Sequence, residues 1–147
     1  MIRLKQMMWP ILGTLLLTLL LSMAGYGGYM AWQQLFPGYD SHLTQKEYSQ
    51  VALHQNVNLV FYKQGCPYCK AGKQAVVAAA AKNNYPTFYI DVESSEGQEL
   101  VEKYQVKKAA TVLIVRDGEV TSYLYAKRDD HGKILVDSEK IKEAFNG

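Results

Sequence analysis

Net charge and cysteine are both scarce in this chain of 147 residues. The chain contains 16 Lys and Arg and 14 Asp and Glu. The resulting net charge of +2 excludes the strongly basic surface of a typical nucleic-acid binder. Only two cysteines are present, which excludes a small domain held together by several disulfides. The hydrophobic fraction of 48% and the 11 tyrosines exclude a disordered chain. A chain of this length buries a sufficient core without disulfide bonds, so both cysteines are free for chemistry.

Charged residues are missing altogether between Lys5 and Asp40. Within this gap, residues 7–32 form a mostly apolar run, longer than the about 20 residues that a helix needs to cross a bilayer. Aromatic residues typical of the membrane interface lie near the two ends of the run: Trp9, Tyr26, Tyr29 and Trp32. Arg3 and Lys5 precede the run, which predicts a cytoplasmic N-terminus (residues 1–6), a transmembrane helix and an extracytoplasmic domain.

A cleaved signal peptide is the alternative interpretation, because the Ser-Met-Ala sequence at 22–24 resembles a cleavage site after a short apolar core. The membrane-compatible stretch continues past that site, which favours an uncleaved anchor. Both interpretations place the following domain outside the cytoplasm. A linker is predicted over residues 33–43, where Pro37 and Gly38 stop the helix, and a soluble domain over residues 44–147.

The soluble domain alternates predicted helices and strands. Short β-rich runs predict four strands, at 58–62, 87–92, 111–115 and 119–125. Periodic apolar positions and capping residues predict helices at 44–54, from the cysteine pair to about 82, at 95–104 and at about 138–145. This order predicts an α/β fold with a mixed four-stranded sheet and helices on both faces.

Local signals mark several boundaries within this order. Thr44 with Glu47, and Ser95 with Gln98, have the spacing of capping boxes at two helix starts. The Asp-Gly pair at 117–118 is a strong hairpin signal between the last two strands. Residues 126–137 (AKRDDHGKILVD) are charged and lack periodicity, so they are predicted to form a loop.

The sequence Cys66-Pro67-Tyr68-Cys69 lies between a predicted strand and a helix start. A helix N-terminus favours negative charge and the thiolate is the reactive form of cysteine, so Cys66 is the predicted nucleophile. Pro67 suits the first helical turn, where its missing N–H costs nothing. Cys69 lies on the same helical face, within disulfide reach, and would resolve the mixed disulfide formed with a substrate. The pair is predicted to cycle between a dithiol and a Cys66–Cys69 disulfide.

Two other roles for the pair, a zinc site and a structural disulfide, fit the sequence less well. A zinc site needs about four ligands, and His42, His54 and His131 are far apart and show no ligand spacing. An inert structural disulfide across so short a loop would stabilise the fold little. We therefore expect a redox-active pair with neither a metal nor a cofactor, and histidines that serve at the surface or as caps.

Residues 44–146 resemble the thioredoxin superfamily. The resemblance rests on NLVFYKQGCPYCK (58–70), FYIDV (88–92), YQVKKAAT (104–111) and VLIVRDGEV (112–120). It implies a thioredoxin-like three-layer fold in which Cys66 matches the nucleophilic cysteine and Cys69 the resolving one. The Cys-Pro-Tyr-Cys motif is the one common in glutaredoxins, and Pro67 and Tyr68 are expected to support the pair.

Two positions depart from the family pattern. Similar thioredoxins carry a buried Asp six residues before the first cysteine, where this chain has Val60. The family has a cis-proline just before the residue that matches Thr111, and here that residue is Ala110. Ala110 and Thr111 thus match the family's substrate-binding loop. Because a cis bond before a residue other than proline costs about 2.5–4 kcal/mol, we expect the Ala109–Ala110 bond to be trans, or else cis and strained.

These features together predict a membrane-tethered, extracytoplasmic thiol–disulfide oxidoreductase. The predicted partners are Cys-containing exported proteins, a redox partner that recharges the pair, and the membrane through residues 7–32, but no nucleic acid. Whether the protein oxidises, reduces or isomerises depends on how strongly the fold stabilises the thiolate. The competing prediction is a non-catalytic interaction module, or an accessory protein of a secretion, bacteriocin-export or conjugation apparatus. The two departures from the family pattern favour this alternative.

Overall fold

A computed structural model describes residues 2–35, 38–50 and 56–146. The chain divides into two compact units, Met1–Gly38 and Tyr39–Gly147. The predicted linker and the end of the predicted helix over 44–54 lie partly outside the described residues. The proposed division into cytoplasmic end, span, linker and domain stays a prediction.

The first unit is one helix, α1, which spans Ile2–Leu35 and contains 34 residues. At 1.5 Å per residue it is about 51 Å long, more than the about 30 Å of a bilayer's hydrocarbon core. Its segment Gly13–Ala31 has a mean hydropathy of 1.3, and none of that segment is buried. The helix is therefore long and apolar enough to cross a membrane, as predicted for residues 7–32.

The second unit opens with a 3-10 turn at Tyr39–Ser41. Its helices are α2 (Gln45–Gln50), α3 (Pro67–Ala80), α4 (Ser95–Lys103) and α5 (Ser138–Asn146). Its strands are β1 (Val57–Tyr62), β2 (Thr87–Asp91), β3 (Thr111–Arg116), β4 (Glu119–Leu124), β5 (Ala126–Arg128) and β6 (Ile134–Val136).

The main sheet has four strands in the order β2-β1-β3-β4. Strands β1 and β2 are parallel and are joined by α3, as a crossover between parallel strands requires. Strand β3 runs antiparallel to β1, and β4 runs antiparallel to β3. Val60 of β1 lies opposite Tyr89 on one side and Val112 on the other. This strand order with an α3 crossover is the thioredoxin-like topology, so the predicted mixed sheet and fold are confirmed.

The β3–β4 hairpin turns at the predicted Asp-Gly pair. Asp117 has φ of 50° and Gly118 has φ of 86°, and positive φ at both central residues is the mark of a type I′ turn. That turn matches the twist of the flanking strands, and residue pairs continue from Arg116–Glu119 to Thr111–Leu124.

The core forms two clusters, one on each face of the sheet, which gives the three predicted layers. On one face, residues of α3 and α5 pack against four side chains of the sheet, Val60, Tyr62, Val112 and Ile114. On the other face, residues of α2 and α4 cover Leu59, Phe61, Phe88, Ile90 and Leu113. The cysteine pair belongs to the α3 face.

The prediction of a loop over residues 126–137 is wrong. Strands β5 and β6 pair antiparallel there, with Lys127 opposite Leu135. Asp129 organises the turn between them, because its carboxylate accepts the backbone N–H groups of His131 and Lys133 at 3.0 and 2.8 Å. The small hairpin brings two cationic residues, Lys127 and Arg128, beside the cysteine motif.

The helix caps follow the sequence with one shift. At α2, Thr44 donates its N–H to the Glu47 carboxylate at 2.7 Å, as predicted for a capping box. At α4 the cap is Ser94 rather than the predicted Ser95. The Ser94 hydroxyl accepts the N–H of Gly97 at 3.0 Å, whereas the hydroxyl of Ser95 donates to the neighbouring Glu96 carboxylate.

Candidate functional site

The cysteine motif is built where β1 ends and α3 begins. Cys66 is the N-cap of α3 and has extended backbone angles, and Pro67 is the first helical residue, as predicted. The Cys69 backbone N–H points back to Cys66 Sγ at 3.4 Å. The first N–H groups of a helix have no partner within the helix, and this contact occupies one of them.

The two cysteines differ in their access to solvent. Both cysteines are free thiols. Cys66 is partly exposed, whereas Cys69 is only 2% exposed. Cys66 is therefore the more accessible of the two sulfurs. Cys69 lies one helical turn further along, where it is shielded by the core.

Burial raises the pKa of the Cys69 thiol to about 11, and its contact with Cys66 acts in the same direction. The backbone at Lys63 and, to a smaller extent, the nearby Tyr125 hydroxyl work against this rise. Cys69 is consequently an uncharged thiol at neutral pH. In this form Cys69 is a poor nucleophile, because only the thiolate of cysteine is nucleophilic.

Two tyrosines lie close to Cys69. Val60, one of the two departures from the family pattern, is fully buried in the α3 face of the core. The Tyr39 hydroxyl donates to the Cys69 carbonyl oxygen at 3.3 Å. The Tyr125 hydroxyl donates to the Phe61 carbonyl at 3.3 Å, and it also contacts the Cys69 side chain. Burial raises the pKa of Tyr125, which keeps this phenol in its donor form.

A glycine in α3 makes room for this arrangement. A Cβ atom on Gly72 would lie 2.4 Å from Cδ2 of the Tyr125 ring, closer than real side-chain contacts allow. Tyr125 itself is 0% exposed. No local sequence pattern connects Tyr125 with Cys69, 56 residues earlier in the chain. The available signal was a glycine inside an Ala-rich helix, three residues after the second cysteine.

The loop opposite the motif has its own internal hydrogen bonds. Thr111 donates its N–H to the Ala109 carbonyl at 2.7 Å, and its hydroxyl donates to the Lys108 carbonyl at 2.7 Å. The Tyr125 N–H donates to the Ala110 carbonyl at 3.1 Å. All peptide bonds among the described residues are trans, which agrees with the expectation for Ala109–Ala110.

A groove of about 490 Å³ joins this loop to the cysteine motif. Cys66, Tyr68 and Ala110 line it, so the structure brings together three of the predicted site residues. Thr111 is buried within β3 and serves the loop's geometry instead. Tyr68 accepts a hydrogen bond from Arg128 Nε at 3.1 Å, a contact that ties the motif to the β5–β6 hairpin.

Comparison with solved structures finds similar chains among the thioredoxins. Thioredoxin of Malassezia sympodialis is 16% identical, with a TM-score of 0.47 over 70% of this chain and 86% of that one. The germline-specific thioredoxin Deadhead of Drosophila melanogaster is 22% identical, with a TM-score of 0.47 over 68% and 88%. Thioredoxin of Aeropyrum pernix is 19% identical, with a TM-score of 0.45 over 69% and 83%. No family model and no curated protein matches the chain.

Proposed function

We propose that this chain is a membrane-tethered, extracytoplasmic thiol–disulfide oxidoreductase that acts through Cys66 and Cys69. The observation that carries the proposal is the asymmetry of the pair. One thiol caps a helix and reaches solvent, and the other is buried one turn later, with its backbone N–H directed at the first sulfur. This arrangement separates an attacking sulfur from a resolving one.

The reaction follows from this geometry. The Cys66 thiolate attacks one sulfur of a substrate disulfide, a mixed disulfide forms, and the other substrate sulfur leaves as a thiolate. Cys69 then loses its proton and attacks Cys66 Sγ, which breaks the mixed disulfide and releases the second substrate sulfur. The substrate gains two electrons, and the protein ends with a Cys66–Cys69 disulfide. Run in reverse, the same steps oxidise a substrate dithiol.

The setting of this chemistry is also part of the proposal. Helix α1 is long and apolar enough to be a membrane anchor, and Arg3 and Lys5 precede its apolar run. With the domain outside the cytoplasm, its substrates would be Cys-containing exported proteins. A redox partner would return the pair to its starting state after each turnover.

A non-catalytic interaction module is the second candidate, and the loop at Ala110 favours it. The Ala109 carbonyl already accepts the Thr111 N–H, and the Ala110 carbonyl accepts the Tyr125 N–H. Both acceptors are therefore satisfied within the domain and are less available to an extended substrate. In that case the domain would bind a partner of an export or conjugation apparatus without turnover.

Reduction of insulin disulfides separates the two candidates. The full chain in detergent, supplied with a chemical dithiol, should accelerate insulin reduction, and Cys66→Ser should abolish the acceleration. A chain that folds but gives the same slow rate as Cys66→Ser would support the interaction module and contradict the oxidoreductase.

A further inference from the structure

The groove beside Cys66 has two walls of different origin. The loop Lys108–Ala110 forms one wall, and residues Ala126–Arg128 of the β5–β6 hairpin form part of the other. Ala109, Ala110 and Ala126 are small, and the groove between the walls has a volume of about 490 Å³. Cys66 lies in its lining, which places any bound segment next to the exposed sulfur.

The charge of this lining has one sign. Lys108, Lys127 and Arg128 contribute cationic side chains, and the residues that line the groove include no carboxylate. Lys127 is partly neutralised, because its Nζ lies 2.8 Å from Asp137 Oδ2. Among the ion pairs of the described residues, neither Lys108 nor Arg128 takes part. One uncompensated cation thus lies on each wall.

Arg128 is held in place next to the motif. Its Nε donates to the Tyr68 hydroxyl at 3.1 Å, and the phenol carries no charge that would neutralise the guanidinium. The other guanidinium nitrogens keep their capacity to donate to a carboxylate, in the paired geometry that arginine offers. This hydrogen bond holds the Arg128 guanidinium in the groove that Cys66 lines.

We infer that the groove takes an extended, acidic polypeptide segment, whose carboxylates flank the cysteine that reacts with Cys66. This inference rests on the proposed oxidoreductase function and specifies its substrate class. Lys108 and Arg128 are the specificity-determining residues, because each offers an unpaired positive charge to a passing carboxylate. Exposed ion pairs of this kind change affinity by about two- to fivefold each, and salt screens them.

The test uses the full chain in detergent and three disulfide substrates that release the same reporter thiol. Two are peptides of equal length with the cysteine flanked by Glu or by Lys, and the third is a small acidic disulfide without a peptide backbone. At low salt, kcat/KM should be about tenfold higher for the Glu peptide than for the Lys peptide, and high salt should remove most of this preference.

Variants identify the source of the preference. Lys108→Gln and Arg128→Gln should each reduce the Glu-over-Lys ratio two- to fivefold, and Arg128→Lys should retain most of the ratio because the charge is kept. Lys82→Gln is the matched control, since Lys82 is an exposed residue beyond the opposite end of α3, and it should leave the ratio unchanged.

The contradicting outcomes are distinct. Equal rates for the two peptides, or a preference that survives both Gln variants, would overturn the inference while leaving the oxidoreductase intact. If the small acidic disulfide reacts faster than the Glu peptide, the groove binds a low-molecular-weight acidic disulfide rather than a polypeptide, and the inference is wrong. Failure to reduce any of the three substrates would overturn the proposed function and this inference together.

Discussion

At the scale of single residues, two identical side chains acquire different chemistry because a helix begins between them. Cys66 precedes the first turn and keeps access to solvent, whereas Cys69 lies within that turn and faces the core. The spacing of the motif and Pro67 made this difference predictable from the sequence. The tyrosines around Cys69 were not predictable, because Tyr39 and Tyr125 are 30 and 56 residues away from it in the chain.

The first prediction concerns the order in which the two thiols react. Because the pKa of Cys69 is raised to about 11, its thiol stays protonated at neutral pH. Iodoacetamide should therefore alkylate Cys66 first in the reduced protein. The alkylation rate of Cys69 should be low at neutral pH and should increase as the pH rises toward 11. Peptide mapping by mass spectrometry measures both rates.

Two variants check the same assignment from the other side. Cys69→Ser should trap mixed disulfides with substrates because the resolving sulfur is gone, and Cys66→Ser should trap none. Equal alkylation of both thiols at neutral pH would show that the roles are not divided in this way.

The second prediction tests the hydroxyl of Tyr125. In Tyr125→Phe the hydroxyl beside Cys69, one of the groups that lower the pKa of its thiol, is lost, so this pKa should rise above about 11. The mixed disulfide should then persist longer at a given pH, and the pH profile of its resolution should move to higher pH. Quenched-flow measurement of the resolution step reports both effects.

Tyr125→Phe should also destabilise the fold by about 1–3 kcal/mol, because the buried Phe61 carbonyl loses its donor from this side chain. Tyr123→Phe is the control, since Tyr123 lies two residues away on β4 and packs against the ammonium group of Lys140. A resolution profile identical to that of the unchanged protein would assign Tyr125 a purely structural role.

At the scale of helices and strands, periodicity and caps were sufficient to predict the order of the main elements. The β3–β4 turn and the start of α3 are found where Asp-Gly and Cys-Pro place them. The β5–β6 hairpin was missed for two reasons. Its strands have three residues each, too few for an alternating pattern to be recognised, and its many charged residues are typical of a loop. Its pairing depends instead on the Asp129 turn and on contacts with α3.

The third prediction concerns the loop that faces the cysteine motif. Thr111 N–H bonds to the Ala109 carbonyl across Ala110, which is a γ-turn, and Ala110 does not have positive φ. Proline fits the negative φ of such a turn, so Ala110→Pro should fold. Proline also lowers the cost of a cis bond to about 0.5–1 kcal/mol, so the variant can adopt a loop geometry that Ala110 disfavours.

Ala110→Pro should accordingly raise the rate of insulin reduction and lower any zinc that the open thiols take up. Activity and metal content are measured on both proteins after the same purification. A stable variant with neither quantity changed would show that proline at this position is neutral and would contradict the prediction.

At the scale of the whole molecule, a helix that carries no charge after Lys5 precedes a domain with a Cys-x-x-Cys pair in one chain. The absence of charge between Lys5 and Asp40 was visible in the sequence, and α1 extends through most of that gap. The shape and charge of the groove were not visible, because its lining comes from α3, the 108–110 loop and the β5 hairpin together. Such surfaces arise from residues that are distant in sequence, and local patterns do not encode them.

The fourth prediction is the orientation of the chain in the membrane. Arg3 and Lys5 should hold the N-terminus in the cytoplasm, so protease added to spheroplasts should digest the domain without lysis. Digestion only after lysis would place the domain in the cytoplasm. A mature protein that begins at Gly25 would instead show that the apolar segment is a cleaved signal.

The most direct test of the central claim is the reduction potential of the Cys66–Cys69 pair. The full chain is equilibrated in redox buffers of known potential, and the fraction of disulfide is read by alkylation and mass spectrometry. We expect a reversible two-electron transition between about −270 mV, the value of a reductant such as thioredoxin, and about −120 mV, that of a strong oxidant. A pair that stays reduced throughout, or a disulfide with a potential below about −300 mV, would contradict a redox-active site.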